Sequence, residues 1–534
     1  MRWGLDEADF PFHCSEDLWP QKRKLYDGKC NNLESGNRSV IPMESGSVLQ
    51  FLDNKSIFVI GATGFLAKIF VEKILRVQPN VKKLYLLLRA EDSKSATQRF
   101  HNEIIGKELF KVLKEKWGNN FNSFISEKIA VVPGDISHED LGLKNSKLEK
   151  ELRREVDVVV NSAATTNFDE RYDVALGLNV LGAKHVLDFA KKCAKLKVFV
   201  HVSTAYVAGE KSGLILESSF SMGKTLNGVS GLDINVEMKV AEEELKQLQA
   251  QGASEKEITL VMKDLGAERA RLFGWPNTYV FTKAMGEMLV GNFKGDLPLV
   301  IVRPTIVTST FKEPFPGWIE GLRTIDSVIV GLGKGKMTCF LGNPKVTIDL
   351  IPADMVINAM IVTMMAHANQ SCDDAIYHVG SSLRNPMNSL NVHNFSYHYF
   401  TKNPLIDRNG KPTKTRKLLI LSTMSRFRLY MKIRYSLPLK GLYLLSKLCP
   451  RYFTKVYNIN DHKIKSVMRL AELYRPYVFF KGIFDDINLE RLRMVAKESG
   501  MDLEVFNFDP RFIEWEEYFT KIHIPGLTRH VIRC

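Results

Sequence analysis

Short apolar runs alternate along this chain with stretches whose apolar residues repeat at helical spacing. The runs cover residues 57–60, 83–88, 129–132, 156–160, 198–202 and 299–302, and each but the last leads into a turn and an amphipathic stretch. Such alternation predicts an α/β fold, a Rossmann-type doubly wound parallel sheet with helices on both faces. Between residues 209 and 274 the rhythm breaks into two charged helical stretches, 238–251 and 258–273, expected as an insertion above the sheet edge. This α/β unit is expected to span residues 43–380. Beyond it the alternation stops, and patterns rich in Leu, Tyr and cations predict a second, mostly helical C-terminal domain over 381–534. Residues 1–42 hold clustered acids (Asp6, Glu7, Asp9, Glu16, Asp17) and little periodicity. That is the pattern of a poorly structured extension, and it fits neither a signal peptide nor a transit peptide.

Composition changes this picture in two places. The formal charge of +14 is concentrated between Lys402 and Lys481, where 19 basic side chains face three carboxylates (Asp407, Asp461, Glu472), a balance of +16. Apolar residues are interleaved there, as in Leu418-Leu419-Ile420-Leu421, Phe427 and Tyr430. No nucleic-acid motif accompanies these cations, so the expected partner is an anionic membrane surface; the plainer alternative is a solvated face of a helical domain. No run of 18 apolar residues marks a bilayer-spanning helix. Seven scattered cysteines, with no Cys-x-x-Cys pair, argue against a disulfide framework or zinc site and for a reducing compartment.

The first apolar run enters Gly61-Ala62-Thr63-Gly64-Phe65-Leu66-Ala67, and a helical pattern follows. A strand, a tight glycine turn and a helix start form a dinucleotide site. The first glycine turns where a Cβ would clash, the second admits phosphates to backbone N–H groups, and the helix N-terminus supplies positive potential. The second run ends in Arg89, where NAD-specific proteins place a carboxylate; a cation there suits the 2′-phosphate of NADPH. Asp135 and Ile136 close the third run, where a carboxylate can accept a hydrogen bond from the adenine amino group. The fourth leads into Asn161-Ser162-Ala163-Ala164, small enough for a cofactor to cross the sheet edge.

The fifth run ends in Ser203-Thr204, and Tyr279-Val280-Phe281-Thr282-Lys283 follows later, ahead of the sixth run and its Arg303-Pro304-Thr305 end. On a helix Tyr279 and Lys283 share a face. An ammonium near the phenol would lower its ordinary value of about 10 and make Tyr279 a usable acid. Lys283 is also expected to hold the nicotinamide ribose, and Thr204 or Ser203 to donate to the reacting oxygen. The spacing alone is weak, since Tyr443 and Lys447 repeat it without a glycine turn or strand-end hydroxyls around them. His201 reads as a core histidine, and Tyr206 as packing or a substrate contact.

With these residues assembled, the chain resembles the alcohol-forming fatty acyl-CoA reductases, an extended branch of the short-chain dehydrogenase/reductases, and their plant members closely. The stretches that carry the likeness are Gly61 to Ala67, Val202-Ser203-Thr204-Ala205-Tyr206-Val207, Asn277 to Glu287, Arg303-Pro304-Thr305-Ile306-Val307, Pro314 to Gly321, Pro352-Ala353-Asp354, Tyr377 to Ser382 and Phe479 to Asp486. Ile60 departs from the family, which more often has threonine before the first glycine. The resemblance implies reduction of a long-chain acyl-CoA by NADPH, through an aldehyde, to a primary alcohol for wax- or suberin-type lipids. It implies Thr204, Tyr279 and Lys283 as catalytic residues, and Gly61, Thr63, Gly64, Phe65, Leu66, Arg89, Asp135, Ile136, Ala163, Lys283 and Pro304 around the cofactor. It also implies the endoplasmic reticulum, with the plastid as alternative. Rival readings are a reductase that stops at the aldehyde, one that acts on acyl carrier protein thioesters, a sugar-nucleotide epimerase and an NADPH-sensing scaffold.

Overall fold

Six parallel strands stand where the apolar runs predict them: β1 (Ser56–Ile60), β2 (Lys83–Leu88), β3 (Ile129–Pro133), β4 (Val158–Asn161), β5 (Val198–Val202) and β6 (Leu299–Pro304). In the computed structural model, which describes residues 48–370, 375–407, 409–448, 450–500 and 504–532, a seventh strand, β7 (Ile376–Val379), joins beyond β6. The order is β7-β6-β5-β4-β1-β2-β3, with every neighbouring pair parallel. All residues of β1, β5 and β6 are buried, as expected where helices cover both faces. The chain reverses direction across the sheet between β1 and β4, and the carboxyl ends of these strands form the crevice where ligands bind in such sheets.

Helix α1 (Phe65–Val77) follows the glycine turn directly. It buries Lys68 and Lys73, which pair with Glu320 and Glu313, while Arg76 bonds Glu72 at 2.9 Å and Glu313 at 2.7 Å. These ion pairs hold the 313–320 loop over α1. The insertion helices α2 (Ile234–Ala250) and α3 (Glu255–Leu272) begin a few residues before their periodic stretches, at the caps Asp233 and Ser254. They share a core with α4 (Thr278–Phe293), in which Ile234, Ala241, Ile258 and Met262 cluster with Phe281, Ala284 and Met285.

Helices α5 (Thr324–Gly333) and α6 (Ala353–Ala366) precede β7; α7 (Ser389–Lys402), α8 (Met424–Met431), α9 (Leu437–Leu448), α10 (Pro450–Val478) and α11 (Ile487–Glu498) follow it. Two short parallel pairings tie this later segment to earlier elements. Leu419–Leu421 pairs with Cys339–Leu341, and Gly482–Phe484 with Gly213–Ile215 of the insertion. The described residues fall in one compact unit, Met43–Cys534; the extension expected over 1–42 lies outside them. Among the described residues no helix is long and apolar enough to cross a membrane, and no cluster of metal-ligating side chains occurs.

Candidate active site at the carboxyl edge of the sheet

The glycine turn sits at the end of β1, beside β4. Gly61 has φ of +80°, and a Cβ on it would lie 2.7 Å from the Ala163 backbone, so only glycine lets the two strand ends approach. The Gly64 N–H donates to the Gly61 carbonyl at 2.8 Å, and Gly64 caps α1 with no side-chain hydrogen bond and no acid in the first turn. The helix therefore presents uncapped N–H groups and its positive end to the crevice, which fits a dinucleotide pyrophosphate. Thr63 and Leu66 are half-buried around the turn, and the Phe65 ring stacks on Trp318 at 5.2 Å.

Arg89 and Asp135 stand at the ends of β2 and β3, on the β1 side of the switch point. Arg89 is exposed, and its carbonyl accepts from Arg99 Nη1 at 2.5 Å. Asp135 Oδ1 accepts from the Ser137 N–H at 3.0 Å and its hydroxyl at 2.9 Å, while Oδ2 has no partner among the described residues. Ile136 is buried, and its carbonyl lies 2.8 Å from His185 Nδ1.

On the other side, β5 ends at Ser203 and Thr204, next to Pro304 at the end of β6. The Thr204 hydroxyl accepts from the Tyr206 N–H at 3.3 Å and lies 3.4 Å from the Pro304 carbonyl. Ser203 Oγ is buried and has no partner among the described residues. Asn277 starts α4 by accepting the Val280 N–H at 3.1 Å, which sets Tyr279 and Lys283 on the helix. The Thr204 hydroxyl is near enough to the Tyr279 phenol to lower its value. Lys283 is buried and donates to the Val202 carbonyl at 2.7 Å, with its Nζ 3.5 Å from His201 Nε2. Glu287, one further turn along α4, holds Arg303 through contacts of 2.5 to 3.2 Å.

The electrostatics correct one expectation. Burial against the cleft walls pushes the Tyr279 hydroxyl up to about 12; the Thr204 hydroxyl and the charge of Arg323 oppose that rise, and Lys283 takes no part. The ammonium does not acidify the phenol because it is turned toward the end of β5. Lys283 is itself brought down to about 8, since burial disfavours the ammonium and Glu287 only partly restores it. Tyr279 is thus fully protonated at neutral pH, the state a proton donor needs. His201 is buried and held well below its ordinary value by burial and by Lys283, as a core histidine would be. Tyr443 and Lys447 form a cation–π contact of 5.0 Å on an exposed helix.

Two features escaped the sequence reading. Arg323 lies 4.7 Å over the Phe65 ring, and its charge lowers the Tyr279 value. Its signal was faint, a lone cation just past the Pro-Gly-Trp stretch. The second is an aromatic wall contributed by α10. Phe168 stacks on Tyr279 at 5.8 Å and on Tyr477 at 5.0 Å, and the Tyr477 hydroxyl accepts from Asn277 Nδ2 at 2.7 Å. Tyr206 packs edge-on to Tyr477 and Phe484, each at 5.2 Å, which is the packing role its position suggested.

A parallel sheet of this order, with a glycine turn at its switch point and a strand-end threonine against a Tyr-x-x-x-Lys helix, defines a nicotinamide-binding oxidoreductase of the short-chain dehydrogenase/reductase type. The fold is similar to the reductase domain of a non-ribosomal peptide synthetase from Mycobacterium tuberculosis, with a TM-score of 0.53 and 17% identity over 92% of this chain and 94% of that one. Two family models described as male sterility protein, the first an NAD-binding model, match residues 59–360 and 434–534. The chain is 59% identical to the alcohol-forming fatty acyl-CoA reductase of Simmondsia chinensis, over 92% of this chain and 99% of that protein. Its identity to fatty acyl-CoA reductase 1 of Arabidopsis thaliana is 56%, over 92% of this chain and 100% of that protein. The chain belongs to the fatty acyl-CoA reductase family.

Proposed function

We propose that this protein reduces a long-chain acyl-CoA to a primary alcohol with NADPH, releasing CoA thiol and passing through the aldehyde. The observation that carries the reading is the docking of the Tyr279–Lys283 helix on the end of β5, where Lys283 donates to the Val202 carbonyl at 2.7 Å, beside a glycine turn and an uncapped helix end that fit a dinucleotide. When bound, the nicotinamide supplies hydride. The Thr204 and Tyr279 hydroxyls donate to the thioester carbonyl oxygen and stabilise the negative charge that gathers there, typically about 3–4 kcal/mol per donor. The hemithioacetal then loses CoA thiol. In the second reduction Tyr279 protonates the alkoxide, and its value near 12 keeps the proton available at neutral pH. Lys283 would hold the ribose hydroxyls, Gly61, Thr63, Gly64, Phe65 and Leu66 would enclose the pyrophosphate, and Asp135, Ile136, Ala163 and Pro304 would line the remaining path. Arg89, exposed at the end of β2, supports NADPH over NADH.

The test is stoichiometric. Purified protein given a long-chain acyl-CoA consumes two NADPH per CoA thiol released and yields alcohol. One NADPH with aldehyde as product supports the shorter reaction instead, and no consumption refutes both. Acyl carrier protein thioesters serve as the competing donor in the same assay.

We further propose that α8 to α10 rest on an anionic membrane surface, that of the endoplasmic reticulum. Leu429, Ile433, Leu437, Leu444 and Leu470 are exposed among the cations of this segment. Flotation of the full chain with anionic but not neutral vesicles is expected; equal absence from both refutes the contact.

A further inference from the structure

Arg323 stands just before α5, half-buried, with its guanidinium 4.7 Å from the centre of the Phe65 ring. Its Nε donates to the Glu320 carbonyl at 3.3 Å, and among the described residues no carboxylate lies within ion-pair distance of it. The two acids whose charge reaches it are committed elsewhere. Glu320 pairs with Lys68, and with Lys107 at 3.2 Å. Asp326 is buried; its Oδ2 accepts from the Arg323 backbone N–H at 3.3 Å, and its Oδ1 lies 3.1 Å from His523 Nε2. These bonds fix the backbone from which the Arg323 side chain springs, so the fold itself sets where the cation stands.

Burial brings the guanidinium down from its ordinary value, and the charges of Asp326 and Glu320 only partly oppose this. An arginine keeps its proton all the same, so a half-buried charge of this kind calls for a negative guest. Phe65, beneath the cation, is the first residue of α1. That end of α1 has no side-chain cap and no acid in its first turn. The guanidinium and the unbonded N–H groups of the helix therefore stand at the same end of α1. Together they suit phosphoryl oxygens, which the planar fork of an arginine and a helix N-terminus both recognise.

We propose that Arg323 binds the diphosphate of the nicotinamide dinucleotide, together with the N-terminus of α1. The inference rests on the NADPH-dependent reading above. Coenzyme A also carries a diphosphate, but α1 begins at the glycine turn of the switch point, where dinucleotides bind in such sheets. That position assigns the cation to the dinucleotide. A hydrogen bond from a charged donor to phosphate is worth about tenfold or more in affinity.

The experiment is isothermal titration calorimetry on the full chain with three probes: NADPH, adenosine 2′-monophosphate, which lacks the diphosphate, and coenzyme A. Arg323→Met keeps the length of the side chain and removes its charge. It is expected to weaken NADPH by about tenfold or more and to leave adenosine 2′-monophosphate and coenzyme A at their wild-type affinities. Arg323→Lys restores the charge and is expected to recover most of the loss, which a merely structural role would not do. Arg323→Gln repeats the test if the methionine variant does not fold. Unchanged NADPH affinity in a folded neutral variant overturns the proposal, and so does an equal loss for adenosine 2′-monophosphate. A loss for coenzyme A alone also overturns it, since the cation then serves the thioester substrate. Failure of the parent reading looks different, because the unmodified protein then takes up no NADPH.

Discussion

Replacing Glu287 by glutamine removes one charge and almost no volume, and two separable effects follow. Glu287 and Arg303 are both buried, at 0% and 3% side-chain exposure, and contact each other at 2.5 to 3.2 Å. Taking the charge from one partner of a buried pair leaves the other uncompensated, which typically costs about 3–5 kcal/mol. Arg303 keeps the Ser218 carbonyl at 3.0 Å and the Phe220 ring at 5.5 Å, so the expected loss is at the lower end, about 3 kcal/mol. Denaturant titration followed by fluorescence reads it as a lowered midpoint at unchanged slope. The second effect is on pH dependence. Lys283 titrates near 8 because burial lowers it and Glu287 alone raises it. As pH rises through about 8 the ammonium is lost, and cofactor affinity falls with it. Without Glu287 the ammonium is disfavoured further, so the alkaline limb of kcat/KM moves to lower pH. A variant of unchanged midpoint whose alkaline limb stays near 8 would refute both the ion pair and the coupling.

Gly61→Ala places a Cβ 2.7 Å from the Ala163 backbone at φ of +80°, and is expected to abolish NADPH binding measured by fluorescence titration. Arg89→Glu removes the cation at the end of β2 and is expected to lower NADPH affinity by about tenfold or more with little effect on NADH, read as the ratio of the two dissociation constants. Asn277→Ala takes away the α4 cap and the partner of Tyr477 at 2.7 Å; stability is expected to drop by about 1 kcal/mol, checked by thermal unfolding.

The sheet was largely legible in the sequence because its strands are buried on both faces. Continuous apolar runs mark such strands, and β2 and β5 begin and end where their runs do. β7 was not, since polar His378 interrupts the apolar pattern of Ile376–Val379. The residues that meet at the carboxyl edge could be named from motifs, because each strand end delivers its side chain to the same place. What spacing could not supply was direction. Tyr279 and Lys283 share a helix face, yet the ammonium turns to the Val202 carbonyl, and the phenol answers to burial, Thr204 and Arg323. Arg323 and the Phe168–Tyr477 stack come from loops and helices distant in sequence, and no local pattern announces such meetings.

The most direct test of the account is Tyr279→Phe, which deletes one hydroxyl and keeps the ring against Phe168. The account predicts a rate of acyl-CoA reduction about 100-fold lower or worse, with NADPH affinity and unfolding midpoint unchanged. Near-normal turnover by this variant would contradict it, since the proton and the oxyanion donor would then have to come from another group.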